Sequence, residues 1–230
     1  LNRELRNTNW FSKKNIKEPN LIDYLDLVSL GTVCDVVPLI GLNRAIVKQG
    51  LKILKLKKNL GLKTLLDICK IHSSPSTYHL GYLIGPRINA GGRVGKCSHG
   101  ADLLLNKDPK YSFKLASELD QFNKERQLLE KDLLKKILNE TEDKSDEPVL
   151  ILSGKNWHEG VIGIVAARLK DKFNKPVILI SSDGINGKAS ARSVVGFDIG
   201  SVIIAATQKK ILLKGGGHKM AGGFSIQIKN

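Results

Sequence analysis

Val149-Leu-Ile-Leu152, then Gly154-Lys-Asn-Trp-His-Glu-Gly160, a helical pattern over residues 161–172, the turn Asn174-Lys-Pro176 and Val177-Ile-Leu-Ile180 form the stretch that decides the fold. Two short apolar runs around one helix spell a βαβ unit, whose strands are parallel and whose crossover is right-handed. A further strand, Gly187-Lys-Ala-Ser-Ala-Arg-Ser193, follows, then a helix at about 198–209, Gly215-Gly-Gly-His-Lys-Met-Ala-Gly-Gly223 and a final strand from Phe224. The expected class of this last third is α/β.

Working back toward the N-terminus, residues 109–141 read as one long helix. Leu115, Leu119, Phe122, Leu129, Leu133 and Ile137 make its apolar stripe, while Arg126 and Glu130 fall on its polar faces. Such a helix is about 45–50 Å long, enough to bridge two bodies. The acidic run Glu140-Thr-Glu-Asp-Lys-Ser-Asp-Glu147 follows it, and a domain boundary is expected there or within the helix. Before it, Gly85-Pro-Arg-Ile-Asn-Ala-Gly-Gly-Arg-Val-Gly95 reads as a loop built for close backbone approach. Helices are expected at 21–30, ending at Gly31, at 43–58 and at 62–71. Thr32-Val-Cys-Asp-Val-Val-Pro-Leu39 is an apolar β-branched run enclosing Asp35. The expected segmentation is 1–108, 109–147 and 148–230.

The 230 residues are 41% hydrophobic and 26% charged, which is globular composition and excludes a disordered chain. No apolar run is long enough for a transmembrane helix. Cys34, Cys69 and Cys97 are widely spaced, show neither zinc-ligand nor disulfide spacing, and fit a reducing cytoplasm. The chain begins at Leu1 and its only methionine is Met220, so it reads as an internal piece of a longer protein. No Walker loop or nucleophile elbow is present.

A net charge of +15 favours an anionic partner such as nucleic acid, although a lysine-rich composition produces the same number without a ligand. The arginines are more informative. In a chain that defaults to lysine, Arg87, Arg93, Arg168 and Arg192 fall in or beside the glycine-rich stretches, where a planar fork binds phosphate bidentately. Ser190 and Arg192 alternate in a strand and so face one side. His158 stands where a parallel strand meets a helix N-terminus, as a structural cap or a ligand contact. Gly215-Gly-Gly217 ahead of His218 reads either as a backbone anion nest or as a flexible turn. Asp35, inside an apolar run, reads as a metal ligand or as a capping carboxylate.

Five stretches in order resemble the DHH phosphoesterase family, in the form of its bacterial single-strand-specific exonucleases. They are Leu25-Asp-Leu-Val-Ser-Leu-Gly-Thr-Val-Cys-Asp-Val-Val-Pro-Leu39, Gly85-Pro-Arg-Ile-Asn-Ala-Gly-Gly-Arg93, Trp157-His-Glu-Gly-Val-Ile-Gly-Ile-Val-Ala166, Gly187-Lys-Ala-Ser-Ala-Arg-Ser193 and Gly215-Gly-Gly-His-Lys-Met-Ala-Gly-Gly-Phe224. The resemblance implies the C-terminal part of a DHH domain, a long connecting helix and a DHHA1 domain. It implies two-metal hydrolysis of single-stranded DNA from the 5′ end with Mn²⁺ or Mg²⁺, in repair and recombination. A single-strand-binding protein and a helicase are implied as further partners. By the resemblance Asp35 binds metal, and His218 acts in catalysis. Asn89, Arg93, His158, Ser190, Arg192, Gly215, Gly216, Gly217 and His218 hold DNA phosphates, the anion groups converging on one pocket across an interdomain groove. The family's other metal ligands lie upstream of Leu1, so this piece alone is expected to be inactive. A phosphodiesterase of the same family acting on short oligoribonucleotides or cyclic dinucleotides is one alternative. A non-catalytic nucleic-acid-binding module is the other.

Overall fold

The computed structural model describes residues 1–140 and 147–228, with the side chain of Glu140 left aside. The acidic run over 141–146 and the last two residues of the expected final strand lie outside the described residues. The chain divides into two compact units: Leu1–Ile88 with His99–Glu118, and Asn89–Ser98 with Leu119–Asn230.

The first unit is helical. It contains α1 (Asn2–Asn7), α2 (Trp10–Lys13), α3 (Leu25–Cys34), α4 (Gly41–Lys55), α5 (Leu60–Ile68), a π-helical turn at His79–Ile84, the start of α6 (Gly85–Val94) and α7 (His99–Leu105). Leu30, Val47, Leu54, Leu62, Leu65, Leu80, Ile84 and Leu103 are its buried core. Asn59 caps α5, accepting the Leu62 N–H at 3.0 Å, and its amide donates to the Leu104 carbonyl at 3.0 Å, which ties α7 to that cap.

Two sequence expectations fail here. Gly31 does not end a helix: α3 runs through it to Cys34, so the first three residues of the apolar run, Thr32 to Cys34, are the helix end. The β-branched residues Thr32 and Val33 are helical all the same: the Thr32 hydroxyl donates to the Val28 carbonyl at 2.7 Å, and Val33 lies beside Gly81 of the π-helical turn. The stretch Gly85–Gly95 is not a loop either. It is largely α6, which continues directly from the π-helical turn, and that widened turn accommodates the N–H that Pro86 lacks.

The second unit is built on the predicted βαβ core. β1 (Leu150–Lys155) and β2 (Val177–Ser182) pair in parallel around α9 (Glu159–Phe173). β3 (Asn186–Arg192), β4 (Lys214–His218) and β5 (Ala221–Gln227) add antiparallel strands, in the order β1-β2-β3-β5-β4. α10 (Ile199–Gln208), capped by Asp198, packs Ile199 and Ile203 on one sheet face with Ala191 and Phe224. The other face meets α9 through Val161, Val165, Leu169, Val177 and Leu179.

α8 (Pro109–Glu140) is the long helix the stripe predicted, but its second half is no spacer. Leu133 and Ile137 are buried in the same core as α9 and the sheet. Leu119 and Phe122 pack on the end of α6 and the turn after it, where Gly91 and Gly95 leave room for them. The division of the chain therefore falls inside α8, between Glu118 and Leu119, and residues 89–98 belong with the sheet. Among the described residues no helix is long and apolar enough to cross a membrane.

Leu133→Ala should lower stability by about 2–4 kcal/mol, because a buried leucine is removed from a core that cannot fully collapse. Leu128→Ala, on a residue 62% exposed in the same helix, should change it by less than about 0.5 kcal/mol. Thermal or urea unfolding of both variants tests whether this half of α8 is core or connector.

Candidate nucleic-acid interface

The site is organised by the first turn of α9. Trp157 is buried just before it, its carbonyl accepting the Ser181 hydroxyl at 2.6 Å. His158 is the N-cap: its Nδ1 accepts the Gly160 N–H at 3.2 Å. The capping reading of His158 thus holds, while its exposed ring leaves Nε2 facing outward from the positive end of a fifteen-residue helix.

Two glycines one turn apart admit two other segments against this helix. A Cβ at Gly160 would stand 2.3 Å from the carbonyl oxygen of Arg93. One at Gly163 would stand 2.8 Å from Ser190 Oγ and 3.0 Å from Arg192 Nη2. Arg93 donates from Nη1 to the Gly160 carbonyl at 3.1 Å. Arg192 donates from Nη1 to Ser190 Oγ at 3.1 Å and to the Ala191 carbonyl at 2.8 Å. The sequence expectation that Ser190 and Arg192 share a face is met, and α9 is what they face. Arg93 reaches them within the second unit, so their approach needs no interdomain groove.

Behind Arg93 lies a polar network on α8. Asn123 and Glu130 are buried. Arg126 donates from Nε and Nη2 to Asn123 Oδ1, at 3.3 and 3.0 Å, and from Nη1 to Glu130 Oε2 at 2.8 Å. The other Glu130 oxygen accepts from Arg168. The sequence reading placed Arg126 and Glu130 on the helix's outer polar faces. Both are instead largely enclosed, paired with each other and, through Glu130, with Arg168 of α9. The spacing of three and four residues in Asn123, Arg126 and Glu130 was the available signal.

Electrostatically the site is lopsided. Glu130 pairs with Arg126 and Arg168, and among the described residues no carboxylate pairs with Arg93 or Arg192. Loss of water lowers the pKa of Arg192, and the charge of Arg93 lowers it further. For Arg93, desolvation and then the Arg126 charge act downward while Glu130 acts upward. Both remain protonated, since a guanidinium does not deprotonate in a protein.

Gly215-Gly-Gly217 is neither nest nor flexible turn. It is the extended edge strand β4, and none of these glycines has the positive φ that a nest requires. Gly215 is close to Ile203 and Thr207 of α10, and Gly217 to the Ala221 carbonyl, while above Gly216 there is open space. Register places Arg192 opposite Ala221, and Ala221 opposite His218, so arginine and histidine sit in one row across three strands, about 10 Å apart. The His218 ring is exposed and accepts the Met220 N–H on Nδ1 at 3.3 Å. Asn89 is exposed on α6, one helical turn before Arg93.

Asp35 lies in the other unit. It is exposed, at the C-cap of α3, not buried in a strand. Val36 after it holds φ of 54°, a left-handed conformation costly for a β-branched residue and of a kind that collects at functional sites. The buried acid of this segment is Asp26, 2% exposed, accepting the Leu27 N–H at 2.7 Å. Burial pushes its pKa up. Among the described residues no three His, Cys, Asp or Glu side chains cluster to hold a metal ion. The residues present therefore do not fit a metal centre by themselves, and Asp35 is at most one ligand of one.

Residues 146–230 match the family model of the DHHA1 domain and belong to that family. Beyond it, the chain is similar to RecJ over nearly its whole length. It is 37% identical to the single-stranded-DNA-specific exonuclease RecJ of Dickeya dadantii, over 98% of this chain and 41% of that protein. It matches crystal structures of RecJ from Thermus thermophilus in complex with Mg²⁺ and with Mn²⁺, each with a TM-score of 0.81 at 32% identity. Each match covers 94% of this chain, and 33% and 32% of those chains respectively. The chain spans about two fifths of the length of the curated relatives it matches.

Gly163→Ala should force the new methyl against Ser190 and Arg192 and weaken anion binding by about tenfold or more, while a thermal melt shows a smaller loss than a core truncation. Titration with a 5′-phosphorylated oligonucleotide checks it. Separately, Asp26 binds its proton more tightly folded than unfolded, so its effect on stability is most favourable below its unfolded pKa and falls as pH rises through the folded value. Asp26→Asn should therefore raise stability at pH 7 and leave it little changed at pH 3, read by urea unfolding at the two pH values.

Proposed function

We propose that this chain is part of a divalent-metal-dependent exonuclease that hydrolyses single-stranded DNA from 5′ to 3′, in repair and recombination. The observation that carries the reading is the pair of guanidiniums, Arg93 and Arg192, with Ser190 beside them and, among the described residues, no carboxylate paired with either. Mutual repulsion across a partly dry site makes an incoming phosphate the missing counter-charge.

The preference for an end follows from charge. A terminal phosphate monoester carries more negative charge than an internal diester, and forked donors exploit that difference. Arg93 and Arg192 hold the phosphate, Ser190 orients it, and the N-terminal end of α9 with His158 adds positive potential. Asn89, exposed one turn before Arg93, contacts the adjoining backbone. Gly216 keeps the sheet floor clear, between Gly215 and Gly217, which let α10 and β5 close in. His218, in the Arg192 row, is the group available to protonate a leaving oxygen. Asp35 offers one carboxylate to Mn²⁺ or Mg²⁺, whose role in such hydrolyses is to stabilise attacking and leaving oxygens. The cytoplasm is the compartment that fits free thiols and this substrate.

In the full-length protein, Arg93→Lys or Arg192→Lys keeps the charge but loses the fork. Each should lower kcat/KM by about tenfold to a hundredfold and shrink the preference for 5′-phosphate over 5′-hydroxyl DNA, with bulk affinity changed less. Asp35→Ala should abolish Mn²⁺-dependent hydrolysis while DNA binding stays measurable. Normal turnover in the Asp35 variant, or an undiminished 5′-phosphate preference in both arginine variants, counts against the proposal.

A further inference from the structure

Arg93 is the less committed of the two guanidiniums at the anion site. A guanidinium carries several N–H donors. Among the described residues Arg93 has one hydrogen bond, from Nη1 to the Gly160 carbonyl at 3.1 Å, and that acceptor is neutral. Desolvation and then the Arg126 charge lower its pKa, and the charge of buried Glu130 opposes them, so both groups lie within electrostatic range of it. An arginine with spare donors and a desolvated carboxylate would ordinarily pair, because charge-assisted hydrogen bonds are the strong ones. Here Arg93 and Glu130 do not pair: Glu130 is bonded to two other arginines.

The reason lies in how Glu130 is occupied. Its Oε2 accepts from Arg126 Nη1 at 2.8 Å, and its Oε1 accepts from Nε of Arg168. Arg126 is fixed from its other side by Asn123, whose Oδ1 takes Nε and Nη2. The layout of α8 sets this clamp behind Arg93. Leu119 and Phe122 lie against Gly91 and Gly95, the glycines on either side of Arg93. Arg126 follows Phe122 by about one turn and Glu130 by about two, a run of about 12 Å. On α9, Gly160 accepts from Arg93 and Arg168 donates to Glu130, and these two residues are also about 12 Å apart along their helix. The two helices are thus linked at one end through Arg93 and at the other through Glu130.

We infer that Arg126 and Arg168 are positioning residues: by taking both oxygens of Glu130 they keep Arg93 from folding back onto that carboxylate, and leave it free for a terminal phosphate. This rests on the phosphate-site reading above. The role is electrostatic in two senses. Arg126 satisfies Glu130, and its own positive charge repels Arg93 from that part of α8 toward the first turn of α9. Loss of either arginine frees one oxygen of a buried carboxylate. An incompletely compensated buried charge is far costlier than a paired one, so the freed oxygen captures the nearest guanidinium with spare donors. That guanidinium is Arg93, and its capture takes it out of the phosphate site.

The test is a rescue. The 230-residue chain is titrated, without divalent metal, with thymidine tetranucleotide carrying a 5′-phosphate or a 5′-hydroxyl. Arg126→Met should reduce the ratio of the two affinities by about tenfold, as a charge-assisted contact to the phosphate is lost. Adding Glu130→Gln removes the carboxylate that captures Arg93, and the ratio should return to within about threefold of wild type. A purely structural role gives the reverse, since the double variant has lost more of the network. Arg168→Met, at a side chain 60% exposed, should lower the ratio in the same direction and be rescued by the same Glu130→Gln. This second pair decides the matter if a thermal melt shows that Arg126→Met does not fold. A ratio unchanged in the single variants, or not recovered in the double ones, overturns the positioning role alone. Wild-type chain that shows no preference for the 5′-phosphate overturns the terminal-phosphate reading and the assignment built on it.

Discussion

The approach of two chain segments to one helical turn is the constraint on which the second unit depends. The backbone of Arg93 lies against Gly160, and Ser190 and Arg192 lie against Gly163, at distances where a methyl group would overlap them. Any side chain at either position would push α9 off the sheet or off the residues after Asn89. The same closeness fixes the chemistry. It brings guanidiniums from sequence positions about a hundred residues apart to the N-terminal end of one helix, where the backbone already presents positive potential.

Like charges so placed need compensation, and α8 supplies a part of it. Glu130, buried and accepting from Arg126 and Arg168, also pulls upward on Arg93. A buried carboxylate with several charge-assisted hydrogen bonds is tolerable where an unpaired one is not. Its compensation is incomplete, since this single carboxylate stands among the guanidiniums of Arg93, Arg126 and Arg168. The remainder is an excess of positive charge, held in place by Asn123 and by a helix whose Leu133 and Ile137 are buried in the core. This is why the long helix belongs to the site and not only to the connection between units.

Much of this was legible in the residues. The βαβ unit could be read because its strands are short apolar runs and its helix repeats at a helical period, both local signals. The long helix was legible for the same reason, and Ser190 with Arg192 followed from strand alternation. The glycine-rich motifs were legible as places of close approach but not as structures. Gly85–Gly95 became mostly helix and Gly215–Gly217 a strand, because glycine adopts either without a side chain to vote, and neighbours decided. Asp35 stands among apolar residues in the sequence, which by itself does not say whether it is enclosed. The helix α3 runs beyond the glycine expected to end it, to Cys34, and this turns Asp35 out into solvent while Asp26 is enclosed.

By itself, then, the sequence determined the element types wherever periodicity is long, the α/β class of the last third and the excess of positive charge. Only the tertiary structure decided that residues 89–98 pack with the sheet, that Arg126 and Glu130 are enclosed, and that Arg168 of another helix reaches Glu130. The reason is physical. Periodicity reports which side of an element is apolar, whereas which element covers that side depends on strand order and on packing between residues distant in the chain. A pairing such as β3 beside β5, with β4 at the edge, leaves no mark on any single segment.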